Sequence, residues 1–145
     1  MNTPAPIYKQ SGVMLLEALI AILIFSLGIL AIVGLQAASI KSAGDAKYRS
    51  DASLLANQLI GQMWVSDRTT TTLQSSFGTG GTDYSTWQSS VAAALPGTST
   101  NPPSVTFTTD NSTATPSSVA TITIYWQSPS ETTTHQYVTV AQIVQ

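Results

Sequence analysis

The spacing of hydrophobic positions changes three times along the chain. Val13 to Leu35 reads apolar on every side, 23 residues carrying a single charge, Glu17. From Gln36 to Asp67 the apolar positions thin to one stripe of Tyr48, Ala52, Leu55, Leu59 and Met63, with Ile60 and Trp64 beside it. Steps of three and four residues mark an amphipathic helix with one core-facing side. No proline interrupts this stretch; Gly44 and Gly61 each weaken it by about 1 kcal/mol against Ala. At 1.5 Å per residue, one helix from Val13 to Asp67 would be roughly 80 Å long.

After Asp67 the pattern shortens. Residues 69–82, TTTTLQSSFGTGGT, predict a loop. Asp83 reads as the N-cap of a short helix with Tyr84, Trp87, Val91 and Leu95 on one face, ended by Leu95-Pro96-Gly97. Period-two alternation then predicts strands over 104–109, 119–126 and 136–144. The second puts Ala120, Ile122, Ile124 and Trp126 on one face, and the third puts Val138, Val140 and Val144 on one face. A sheet of three or four strands would bury these faces against the helix. The last two strands flank QSPSETTTH and predict an antiparallel hairpin. The fold class expected is α+β: a long N-terminal helix, with a membrane half and an amphipathic half, packed on a small antiparallel sheet head. About 75 residues of head make a marginal core alone, so the amphipathic half of the helix must supply part of it.

The apolar run is long enough to cross a bilayer. Residues 18–35 hold twelve Leu, Ile, Val or Phe, worth about −5 kcal/mol toward insertion. A central charge costs about +3 kcal/mol on the same scale, and Glu17 sits near the end, where the cost falls. A plain anchor accounts for the apolarity, and a cleaved secretory signal fits poorly, because the run exceeds the usual apolar core and no A-x-A site follows. Neither uses Glu17. An ionisable side chain inside a membrane segment points to a function and to a partner.

The stretch SGVMLLEALIAILIFSLGILAIVGLQ, with Gly12, an apolar run directly after it and Glu17 at the fifth position beyond the glycine, resembles the class III leader and N-terminal helix of type IV pilins. LGILAIVGLQ resembles the PilV-type minor pilins in particular. The resemblance covers residues 8 to about 65. It implies that a prepilin peptidase cleaves after Gly12 and methylates the new amine of Val13, which stands where the family usually has Phe or Met. Met1–Gly12 would be the leader, 13–35 the transmembrane half of the helix, 36–67 its amphipathic half, and 68–145 a β-rich head in the periplasm or the pilus. The new α-ammonium and the Glu17 carboxylate would lie about one helical turn apart, ~6 Å along the axis. In the family, this glutamate pairs with the amine of a neighbouring subunit and sets the stagger of the helices. The positive-inside rule pulls the other way, since Lys9 precedes the span while Lys41, Lys47 and Arg49 follow it. Gly28 and Gly34 allow a kink or local melting on assembly, or are simply glycines of a membrane helix.

Charge and candidate chemistry narrow the picture. Charged residues make up 8% of the chain and the formal charge is −2, so no basic footprint for nucleic acid exists. With no cysteine, disulfides, thiolate metal sites and a Cys nucleophile are excluded. His135, the single histidine, falls in or beside a Thr-rich loop and reads as solvated; Glu131 is the one carboxylate near it in sequence. GTGG at 78–81 lacks the strand, helix and lysine of a phosphate loop. Asp83, Asp110 and Asn111 match no calcium-loop spacing. Tyr84, Trp87, Tyr125 and Trp126 read as core packing before a binding surface.

The expectation is therefore a structural subunit rather than an enzyme, with no cofactor and no metal. Its site residues would be Gly12 and Val13 for processing and Glu17 for assembly. Its partners would be other minor pilins, the major pilin, the prepilin peptidase and inner-membrane lipid. The alternatives are a minor pseudopilin of type II secretion, a pilus-tip adhesin or DNA-uptake subunit, and an enzyme held by an anchor.

Overall fold

The computed structural model describes residues 11–112, 116–129 and 131–144. Apart from Ser11 and Gly12, the expected leader lies outside them, as does Ser130 of the loop before the last strand. The chain divides into two compact units, Met1–Ser42 and Ala43–Gln145.

The first unit contributes the opening of helix α1 (Ser11–Val65), which is helical through Gly28 and Gly34. Ile20, Phe25, Leu30 and Leu35 are all exposed. A helix apolar all round satisfies its backbone internally but leaves its side chains to lipid or to other helices.

In the second unit, residues 43–65 of α1 are followed by α2 (Thr70–Phe77), α3 (Thr82–Ala94), β1 (Ser104–Asp110), β2 (Ser117–Trp126) and β3 (His135–Val144). The strands form an antiparallel sheet in the order β1-β2-β3. One apolar core joins Ala52, Leu55, Ala56, Leu59 and Met63 of α1 to Leu73 and Phe77 of α2, to Tyr84, Trp87 and Val91 of α3, and to the inner face of the sheet. The expected stripe on α1 is thus the buried one, with Tyr48 and Ile60 half-buried at its margin and Trp64 exposed.

Three expectations need correction. The segment 69–82 is not a loop, because α2 occupies most of it. Thr and Ser are weak helix formers, and they masked Leu73 and Phe77, two buried residues four apart. Asp67 anchors the start of this segment, accepting from the Thr69 N–H and the Thr72 hydroxyl. Asp83 is not an N-cap either: Gly81 occupies that position, and Asp83 lies in the first turn of α3, where a negative charge favours the helix dipole. A Cβ on Gly81 would collide with the Ser76 carbonyl, so the close approach of α2 and α3 requires glycine there. The GTGG run joins two helices and follows no strand.

The third correction concerns β3. Ala120, Ile122, Ile124 and Trp126 face inward as expected. Directly opposed residues of an antiparallel pair share a face, and the register sets Ala141 against Ala120, Thr139 against Ile122 and Tyr137 against Ile124. Ile143 is buried on this inner side, whereas Val138, Val140 and Val144 point outward and are exposed. Alternation defines two faces of a strand, and only pairing says which one is covered.

Candidate functional site

Two groups of residues carry chemistry, one in each unit. In the first, Val13 and Glu17 share one face of α1 with Leu16, Ile20, Ala21 and Ile24. Spacings of three and four residues put them there, and all six are exposed. Ser26, lower on the same helix, donates its hydroxyl to the Ile22 carbonyl at 2.7 Å, so its polarity is met within the helix. Nothing among the described residues bonds Glu17.

The second group was invisible in sequence as a whole. Asp45 on α1, Glu131 on the β2–β3 connection and His135 at the start of β3 bring one ligand-type atom each within 4.8 Å of one another. His135 Nε2 lies 2.8 Å from Glu131 Oε2. Its ring stacks on Trp126, with centroids 5.7 Å apart and planes 15° from parallel. His135 is thus not a solvated loop residue: its side chain is 33% exposed and that of Glu131 only 13%.

Local structure aims these groups. The buried Ser128 hydroxyl donates to Asp45 Oδ1 at 2.6 Å. The Glu131 N–H donates to the Ser128 carbonyl, and the Gln127 amide donates to the Glu131 carbonyl at 2.7 Å. Gln127 is held in turn by its N–H on the Pro96 carbonyl, beside Gly97 at φ 79°. Glu131 was within reach of His135 by sequence; Asp45 was not, because only the fold returns the connection to α1.

Asp83 and Asp110, weighed with Asn111 for calcium, belong to no group of three histidine or carboxylate ligands among the described residues. Asp110 accepts from Ser112, which holds its carboxyl below the usual range, and Asp83 lines a polar cleft with Gln58, Gln62, Thr86 and Ser90 over Phe77 and Trp87. Tyr84, Trp87 and Trp126 are core residues as expected, while Tyr125 is half-buried on the outer face.

No protein-family model, curated protein or solved structure gives a significant match to this chain. The helix of the first unit is long and apolar enough to cross a membrane.

Proposed function

We propose that this chain is a minor pilin of the PilV type, a structural subunit of a type IV pilus. The observation that carries the reading is Glu17, a carboxylate with no bonded partner among the described residues, on an exposed apolar helix face that it shares with Val13. A carboxylate in hydrocarbon needs a cation, and its neighbours on α1 offer none. Cleavage after Gly12 creates one at Val13, and methylation leaves that amine charged. Pairing Glu17 with the amine of an adjacent subunit fixes the axial register of packed helices, the best-attested role of a buried ion pair.

In this reading, residues 13–35 hold the subunit in the inner membrane with its head in the periplasm, and lateral packing against the major pilin and other minor pilins later replaces lipid. We read the head as structural rather than catalytic: Tyr84, Trp87 and Trp126 fill its core.

Intact-mass measurement of the membrane form from the native host tests this. The expected mass lacks the twelve residues Met1–Gly12 and carries one added methyl, and Gly12→Ala leaves the chain at full length. An unprocessed wild-type chain overturns the reading.

A further inference from the structure

We propose that Asp45, Glu131 and His135 form a binding site for one divalent transition-metal ion of the zinc class. The proposal is independent of the pilin reading and concerns the second unit alone.

Composition makes the convergence telling. The chain has seven acids and one histidine, and three of these eight residues, from positions 45, 131 and 135, meet within 4.8 Å. The donor set is mixed. One imidazole nitrogen with two carboxylates suits zinc, whereas calcium takes six to eight oxygens and magnesium keeps most of its water.

The distances fit as well. Tetrahedral zinc at about 2.0–2.1 Å from each ligand separates its donors by about 3.3 Å. The His135–Glu131 pair, at 2.8 Å, is slightly closer than that, and no pair in the group exceeds 4.8 Å. Side-chain adjustments of an ångström or so bring all three to bonding distance. The metal takes the place of the proton shared between His135 and Glu131, and a water completes four-coordination.

The surroundings supply the support that metal ligands need. Ser128 orients Asp45 through Oδ1, and the other oxygen is left to turn to the ion. Trp126 fixes the plane of the imidazole by stacking. Its indole N–H is the buried side-chain donor without a partner among the described residues. A metal here ties the β2–β3 connection to α1, closing a loop between residues more than 80 apart in sequence. Metal bound to the folded form alone stabilises it by mass action.

The test uses the full chain in detergent, stripped with chelator and dialysed. Calorimetric titration with zinc chloride should give one ion per chain. Zinc at about 100 times its dissociation constant should raise the thermal midpoint by roughly 10 °C. Cobalt(II) should give the visible absorption of a four-coordinate N/O site. His135→Gln and Asp45→Asn should each weaken zinc binding by at least about tenfold, and Ser128→Ala should weaken it about tenfold through misorientation. Absence of zinc binding overturns the proposal. So does binding unchanged in both ligand variants, or calcium stabilising the chain as well as zinc does. If one ligand variant fails to fold, the other and Ser128→Ala carry the same test.

Discussion

The indole N–H of Trp87 on α3 donates a 2.9 Å hydrogen bond to the backbone carbonyl of Leu55 on α1, with both side chains buried. This bond ties the helix that follows the GTGG turn to the one that carries the core stripe. It also satisfies the polar edge of a large ring within an apolar core. Trp87→Phe keeps most of the packing and loses the bond, so stability should fall by about 1–2 kcal/mol. Trp87→Ala should cost about 3–5 kcal/mol. Urea unfolding followed by fluorescence in Trp87→Phe checks the smaller value; Trp64 and Trp126 remain as reporters, and both lie in the second unit.

The face of β3 can be tested by a contrast. Ile143 is fully buried and Val140 is 61% exposed. Ile143→Ala should cost about 2–5 kcal/mol, and Val140→Thr should stay within about 0.5 kcal/mol. Equal losses in urea unfolding would mean that the strand is turned the other way.

Gly97 stands at φ 79°, and a Cβ added there would meet Gln127 Cβ at 2.8 Å. Gly97→Ala therefore combines a left-handed backbone, costing about 1–2 kcal/mol, with a steric clash. Thermal unfolding should show a loss of at least that size. Because Gln127 leads into the connection carrying Glu131, zinc affinity should fall in the same variant.

In the pilin reading, Glu17→Ala should still insert in the membrane and be cleaved after Gly12, because removing a charge favours insertion. It should then fail to enter pili, since the amine of a neighbour would be left unpaired in a dry bundle at a cost of about 3–5 kcal/mol. Immunoblots of membrane and sheared-pilus fractions separate these steps. Wild-type levels of the variant in pili would remove the pairing role.

Stability should depend on pH at both ends of the range. Burial raises the Tyr84 phenol above its usual value of about 10, and its O–H donates to the Pro103 carbonyl at 2.5 Å. The neutral form is the one the fold favours. Its contribution is therefore complete below the ordinary tyrosine value and is lost as pH rises through the raised one. Tyr84→Phe should flatten that alkaline loss. Asp67 is held low by the Thr69 N–H, and Asp110 by Ser112. Their contributions are present above the usual carboxylate range and disappear as pH falls through the lowered values. Asp67 is exposed and Asp110 half-buried at the end of β1, so the acid limb should be shallow and weaken with added salt. Unfolding midpoints across pH for the wild type, Tyr84→Phe and Asp67→Asn check both signs.

By itself the sequence determined what depends on neighbours along the chain. A helix repeats every 3.6 residues, so Ala52, Leu55, Leu59 and Met63 announced their common face, as did Tyr84, Trp87 and Val91. Composition alone made Val13 to Leu35 a segment for lipid or other helices, with Glu17 as its exception. Strand positions were legible for the same reason, to within two residues at each end. Tertiary structure decided what depends on residues far apart. Leu73 and Phe77 form a helix among weak helix formers because the core takes both. The inward side of β3 follows from its register with β2, since either face of an alternating strand is chemically acceptable until one is covered. Asp45 meets Glu131 and His135 only because the β2–β3 connection comes back to α1, and such long-range contacts leave no local period to read.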